Sequence, residues 1–340
     1  MDVYSTLRNS WSIESSAYRK VVANLARWID DSDCSGLLVV TDHNVIDPWA
    51  AAQHLIELTD KLVPLVALQP PYAHPYAAAR IISSLGFIYG RRVDLNLVTG
   101  GNPGDLRSVG CILDHDTRYD RLVEYARVVE ALLTQTEPLS HRGAYYDLDL
   151  AVLQPQLPPA LMPKTFVAGS SRACVEAARA LGAVRLAYPR AIEEYAADPS
   201  ALDGTGVRLG IIARDTSAQA WAVAHRRFPP DRAAEQVHDH IAPRTPGWGG
   251  KLLEDARRQQ DAAVLSPVYW LYPFRSFKEY CPYLVGSYDE VAELLSRYLD
   301  LGVNTLIMAV PWDEDDLHHA LTAIRHAESL SLERSALSAQ

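Results

Sequence analysis

The residues best suited to chemistry gather where strands should end. An apolar run, Arg92 to Val98, carries Asn96 and delivers it with Thr99 into a turn at Gly100 and Gly101. Glycine lets the backbone come close to a ligand, and polar side chains beside such a turn can fix it. Gly169, Ser170 and Ser171 follow a second run, Thr165 to Ala168, and lead straight into a helical pattern. A serine there caps orphan amides, a contribution of about 1 kcal/mol. The same exposed N–H groups and helix dipole attract an anion, so capping and phosphate binding are compatible. Tyr119 lies in DHDTRY, the stretch that opens a long helix, and taken alone it reads as a packed ring with its phenol at the surface.

Other candidates carry two readings each. Arg208, in RLGIIAR, is either a surface arginine at a strand end or a permanent positive charge that steadies an anion. His43, in the TDHN turn, is a candidate general acid or base, because histidine titrates near neutrality, or simply a polar loop residue. His74 carries the same ambiguity. His238, His240, His318 and His319 have no partners at metal-ligand spacing, so no metal is expected. Tyr269, Trp270, Tyr272, Phe274 and Phe277 form an aromatic cluster that reads as a subdomain core, an interface, or a lid that keeps a reactive site dry.

The elements that must position these residues alternate along the chain. Strands are expected at Val3 to Leu7, Gly36 to Thr41, Leu62 to Leu68, Arg92 to Val98, Thr165 to Ala168, Ala183 to Ala187, Val207 to Ala213 and Asn304 to Val310. Their continuous apolar character suits strands buried on both faces of a parallel sheet. Helical spacing predicts Ser15 to Ile29, Trp49 to Leu58, Tyr76 to Leu85, Arg118 to Leu133, Ala173 to Leu181, Ala191 to Ala197, Ala218 to Arg226, Tyr288 to Leu301 and Asp315 to His326. Gly143 to Leu153 alternates and reads as a small hairpin outside the repeat. This rhythm favours a (β/α)8 TIM barrel, with a doubly wound open sheet as the competitor. In both, ligands bind at the carboxyl ends of the strands. One domain over residues 1–330 is expected, with a long insertion before the last strand at 229–278, a lid or interface, and a flexible tail at 331–340.

Bulk composition excludes several functions. The 340 residues include 48% hydrophobic and 22% charged residues, an ordinary globular mixture, and the net charge of -10 argues against nucleic acid or an anionic membrane as partner. Cys34, Cys111, Cys174 and Cys281 show no CxxC pair and read as reduced thiols. The polar N-terminal stretch lacks a signal-peptide core, and no apolar run is long enough to span a bilayer. A cytoplasmic location is expected.

Together these stretches resemble the bacterial-luciferase-like flavin monooxygenases, and within them the alkanesulfonate monooxygenase branch. The resemblance is carried by GLLVVTDHNVIDPW (Gly36 to Trp49), VALQPPYAHPYAAAR (Val66 to Arg80), GRRVDLNLVTGGNP (Gly90 to Pro103), LDHDTRYDRLVEY (Leu113 to Tyr125), FVAGSS (Phe166 to Ser171), RLGIIARDTSAQAW (Arg208 to Trp221) and LVGSYDEVAELL (Leu284 to Leu295). It implies a (β/α)8 barrel that takes reduced FMN (FMNH2) from a separate flavin reductase and uses O2, through a flavin peroxide adduct, to oxygenate a small organic substrate. It also implies a homodimer or homotetramer.

By the same resemblance, Gly169, Ser170 and Ser171 hold the FMN phosphate, Tyr119 donates its hydroxyl to it, and Asn96 and Thr99 lie beside the isoalloxazine ring. Arg118 is expected to pair with Asp114 or Asp116 instead. Arg208 matches an arginine that the sulfonatases use near substrate and flavin peroxide; it is a catalytic candidate on that ground, and His43 is one on its acid–base chemistry alone.

Departures fall on the substrate side. Val45 stands where the sulfonatases have cysteine, Arg8 or Asn9 where they have histidine, and Pro311 with Trp312 where they have tyrosine. Lys278 is the nearest cation to Phe277, where they have a mobile-loop arginine. The substrate expected is a heteroatom or carbonyl compound other than a simple alkanesulfonate. A deazaflavin (F420) hydride-transfer enzyme on the same barrel is the alternative, and a flavin-binding relative without catalysis is a third reading.

Overall fold

The apolar runs become short strands whose residues are buried on both faces. The computed structural model describes residues 1–11, 13–241, 247–261 and 267–338. It divides into two compact units, Thr6–Arg185 and Met1–Ser5 with Leu186–Gln340. The chain opens with β1 (Asp2–Thr6).

The first unit then runs α1 (Ser15–Asp30), β2 (Gly36–Val39), α2 (Pro48–Leu58), β3 (Val63–Leu68), α3 (Pro75–Tyr89), β4 (Asp94–Leu97), α4 (Pro103–Ser108), α5 (His115–Thr134), β5 (Leu139–Arg142), β6 (Asp147–Ala151), β7 (Thr165–Ala168) and α6 (Arg172–Leu181). Parallel pairing orders β2, β3, β4 and β7, with Val66 opposite Val39 on one side and Leu95 on the other. Asn96 pairs in register with Ala67 and Phe166, so this polar residue sits on a strand enclosed by apolar neighbours.

The helix starts follow local rules. Pro48, Pro75 and Pro103 each begin a helix after a residue whose side chain accepts from the first free amides, Asp47, His74 and Asn102. Proline is suited to that position because it has no N–H to leave unpaired. The first-unit core is built from α3, α5 and α6 against the strands, with Ile82, Leu122, Val129 and Leu132 among its buried members.

The second unit takes β1 and continues through β8 (Val184–Ala187), β9 (Gly206–Arg214), α7 (Ser217–Arg227), α8 (Arg232–Ile241), α9 (Gly247–Asp261), β10 (Tyr269–Trp270), α10 (Tyr272–Arg275), β11 (Tyr283–Ser287), α11 (Tyr288–Asp300), β12 (Thr305–Met308) and α12 (Glu314–Ser338). β12 lies between β1 and β9. β9 is shared along its length: Gly206 and Val207 also pair with β8, and Gly210 to Arg214 pair with β11. Strands β1 to β4, β7 to β9 and β12 are the eight of the expected (β/α)8 barrel, each followed by helical structure.

Several expectations need correction. The hairpin is offset: Gly143 to Tyr146 form its turn, and its strands are β5 and β6. No α-helix covers Ala191 to Ala197; 3-10 turns at Ile192–Tyr195 and Pro199–Leu202 stand there. Helix α4 and strand β11 were not expected. The last helix does not stop at His326 but runs to Ser338, held where Arg334 reaches Asp300 at 2.8 Å and Ser331 donates to the same carboxylate.

The aromatic cluster packs inward for the most part. Trp270 stacks on Tyr272 at 5.8 Å, meets Trp221 and Phe228 edge-on, and Tyr269 is buried with its hydroxyl donating to Pro189 O at 2.9 Å. Phe277 stays exposed, in a left-handed conformation at φ 53°. Residues 242–246 and 262–266 of the expected insertion lie outside the described residues.

Candidate active site

The cofactor candidates come together in the first unit, at the carboxyl ends of β4 and β7. Strand β7 ends at Ala168, and Gly169 turns the chain at φ 144°, a conformation that L side chains rarely adopt. A β-carbon on Gly169 would also stand 2.5 Å from the Tyr119 hydroxyl and 3.0 Å from Cys174 Sγ. Glycine is therefore required twice, by angle and by space. Ser171 is the N-cap of the ten-residue α6, its hydroxyl accepting from Cys174 N at 3.2 Å. Ser170 lies half-buried between them.

Tyr119 reaches this turn from the start of α5, because Asp114 caps that helix by accepting from Thr117 N at 3.0 Å. Its ring is buried and its hydroxyl donates to Ala168 O at 3.2 Å. Burial pushes the phenol pKa well up, Cys174 adds to that, and hydrogen bonds from Thr99 and Ser171 oppose it. Tyr119, Thr99, Gly169 and Ser171 thus share one polar knot, with Ser170 on the same turn. Asn96 is buried on β4, and its Oδ1 has no hydrogen-bond partner. A buried acceptor left unpaired costs about 1 to 3 kcal/mol, which native proteins tolerate where a ligand completes it.

These residues fit FMN. The free amides and dipole of α6, with hydroxyls at Ser171 and Tyr119 and no side chain at Gly169, suit a phosphate. The unpaired Asn96 Oδ1 suits the N–H edge of a flavin ring.

Arg118 departs from expectation. Its Nη1 donates to Leu113 O at 3.1 Å, and its Nε is buried without a partner. Asp114 is occupied as the helix cap and Asp116 pairs with His115 at 2.6 Å, so neither carboxylate faces the guanidinium.

His43 lies in the loop after β2, 3.8 Å from Asp105 and with its ring 5.6 Å from that of Tyr72. His43 and Tyr72, with Val45, Trp49 and Gln69, line an open cleft of about 520 Å³ at the ends of β2 and β3. Gln69 escaped the sequence reading, as did Cys174. A glutamine before two prolines carries no motif, and a cysteine three residues into a helix reads as core.

Arg208, in the second unit on β9, is not a surface residue: it is half-buried and its Nε is fully enclosed without a partner. Its Nη1 donates to the Tyr188 hydroxyl at 3.5 Å, and its guanidinium stands 5.9 Å from the centre of that ring. Burial lowers its pKa, but Tyr188, Cys281, Glu279 and Tyr283 raise it by more, so the charge is held firmly. Pro311 lines a small cavity in the same unit, the Arg227 guanidinium lies over Trp312 at 5.2 Å, and Lys278 pairs with Asp231 at 3.5 Å. His319 accepts or donates with the Tyr288 hydroxyl at 2.5 Å.

Comparison with known proteins decides the family. The family model described as luciferase-like monooxygenase matches residues 3–305. The chain belongs to the luciferase-like monooxygenase family. A relative from Niallia circulans, 4-(gamma-L-glutamylamino)butanoyl-[BtrI acyl-carrier protein] monooxygenase BtrO, is 33% identical over 301 residues, 87% of each chain. Among solved structures, the EDTA monooxygenase EmoA from Chelativorans sp. BNC1 superposes with a TM-score of 0.72 at 19% identity, covering 98% of this chain and 94% of its own. Long-chain alkane monooxygenase LadA gives 0.66 at 15% identity, covering 98% and 92%. These structures share the (β/α)8 fold of this luciferase-like chain. The fold places functional residues at strand ends, where the polar knot and the cleft of the first unit both lie.

Proposed function

We propose that this luciferase-like monooxygenase binds reduced FMN at Asn96, Thr99, Tyr119, Gly169, Ser170 and Ser171 and oxygenates a small organic substrate other than a simple alkanesulfonate. The observation that carries the reading is the unpaired, buried Asn96 Oδ1 on β4, the strand paired with β7, whose end leads into a helix N-terminus built of glycine and hydroxyls. Reduced FMN supplies the two electrons with which O2 gives one oxygen atom to substrate and the other to water. The chain's own residues bind, orient and protect. Ser171, Tyr119 and the α6 amides anchor the phosphate, while Asn96 and Thr99 fix the ring. Arg208 supplies a permanent positive charge for an oxygen on which negative charge develops. His43 takes or returns a proton at Nε2, with Nδ1 turned to Asp105.

A separate reductase supplies the flavin, and the enzyme works as a homodimer or homotetramer. The thiols of Cys34, Cys111, Cys174 and Cys281 are all free and buried, in keeping with a reducing, cytoplasmic setting. Among the described residues no helix is long and apolar enough to cross a membrane. The substrate is either free or carried on an acyl-carrier protein, as the name of the Niallia circulans relative describes for that enzyme.

The test mixes the protein with photoreduced FMN and O2 and follows flavin absorbance, then screens free and carrier-tethered acyl compounds for substrate-dependent O2 uptake. A transient oxygenated flavin spectrum with substrate-coupled uptake is expected. Absence of flavin affinity, or selective binding of deazaflavin F420, contradicts the proposal.

A further inference from the structure

The cleft at the ends of β2 and β3 has a chemical character that the flavin site does not explain. Asp42, His43, Val45, Trp49, Gln69 and Tyr72 line it, and neither lysine nor arginine is among its lining residues. Asp47, the cap of α2, also lines it, and Asp105 adds a further carboxylate, 3.8 Å from His43. Asp42 is held in place by Asn44, whose backbone and side-chain N–H groups both donate to it at 3.0 Å. The charges of Asp42 and Asp105 reach Tyr72, whose phenol is pushed up first by burial and then by those two carboxylates, with a hydrogen bond from the Gln69 side chain opposing them. Arg8 lines, with Asn9 and Tyr18, an adjoining small cavity that shares Val45 and Ile46 with the cleft.

Gln69 provides the independent observation. It is only 7% exposed, it lines the cleft, and its Oε1 is buried without a hydrogen-bond partner. A β-carbon on Gly100 would stand 2.7 Å from that oxygen, so the acceptor lies at the seam between the cleft and the Thr99–Gly100 turn. The Gln69 side chain bonds Tyr72 yet its Oε1 lacks a donor, and the charged side chains that line the cleft itself are carboxylates, with His43 beside them. Trp49 and Tyr72 add aromatic faces, which attract cations.

We infer that this cleft selects a substrate bearing a protonated amine, with Gln69 accepting from its N–H and Asp42 and Asp105 supplying the countercharge; this rests on the monooxygenase reading and names its substrate class. A sulfonate would meet carboxylates and an unpaired acceptor, a repulsive arrangement that excludes it more directly than the loss of any single residue. The ammonium is a recognition handle. A protonated nitrogen has no lone pair to give, so the oxygenated atom is another one in the molecule.

The experiment uses hexylammonium, hexanol and hexanesulfonate as probes of identical chain, titrated calorimetrically into the intact protein without flavin. Hexylammonium is expected to bind at least about tenfold more tightly than hexanesulfonate, with hexanol between. Gln69→Leu and Asp105→Asn should each weaken hexylammonium by about fivefold or more, and Gln69→Glu should strengthen it. Asp149→Asn, on the exposed hairpin, controls for the general negative charge of the protein and should change nothing. Equal or better binding of the sulfonate overturns the inference, as does an equal effect of Asp149→Asn and Asp105→Asn. If Gln69→Leu fails to fold, the opposed shifts of Asp105→Asn and Gln69→Glu decide. FMN titration is a separate readout: FMN binding without amine preference sinks this inference alone, and amine preference without FMN binding supports it while sinking the flavin reading.

Discussion

The Tyr119 hydroxyl lies 2.5 Å from the place a β-carbon on Gly169 would occupy, so the two residues divide one small space between them. The glycine is what allows the phenol to reach the turn at the head of α6. Gly169→Ala should therefore displace Tyr119 and weaken reduced FMN by about tenfold or more, since a positive-φ alanine and a lost hydrogen bond act in the same direction. Anaerobic flavin titration measures this, with circular dichroism confirming an intact fold.

Arg208 has a different signature. Arg208→Lys keeps a positive charge but loses the planar fork beside Tyr188, and it should lower turnover by about tenfold or more while leaving FMN affinity within about twofold. Steady-state O2 uptake and flavin titration separate the two effects.

Asp316 joins Arg214 and Arg227 in a buried cluster, accepting from Arg214 at 2.5 Å and from Arg227. Burial alone would raise its carboxyl pKa, but the two arginines outweigh burial and hold it below the usual range. A carboxyl depressed in the folded state contributes stability above its unfolded pKa of about 3.9 and loses that contribution as pH falls through the folded value. Asp316→Asn should thus cost about 3 kcal/mol near neutrality, and the gap from wild type should close as the pH drops below about 4. Denaturant melts over that pH range check it.

The thiols should be inert in the native state. Burial pushes Cys34 up to about 11 and Cys281 up to about 12, and it raises Cys174 as well. Since the thiolate is the nucleophile, a disulfide reagent near neutral pH should react slowly with native protein and reach four equivalents only in denaturant.

Much of the geometry of the proposed flavin side was legible because it is local. Strand β7, the Gly169–Ser171 turn and the head of α6 follow one another directly, and the sequence marks each with its own residue type. What failed depended on distant partners. The alternating pattern of Gly143 to Leu153 hides where the hairpin turns, because the turn is set by Glu124 of α5, which accepts from the amides of Ala144, Tyr145 and Tyr146. Ala191 to Ala197 looks helical, yet Tyr195 turns back to accept from Arg190 N and Pro199 forbids an extension. α12 outlasts its apolar pattern because Arg334 and Ser331 find Asp300 on α11. The substrate side was least legible, since Gln69, just past β3, and Asp105, on α4, come to one cleft from separate parts of the chain and no spacing announces it.

The central claim is that the polar knot of Tyr119 and Ser171 at the head of α6 holds the FMN phosphate. Anaerobic titration of wild type and the Ser171→Ala/Tyr119→Phe double variant with photoreduced FMN tests it most directly. Loss of these hydrogen bonds to a charged group, about 1.5 to 3 kcal/mol each, predicts a dissociation constant at least about tenfold higher in the variant. An unchanged dissociation constant would place the phosphate elsewhere and contradict the account.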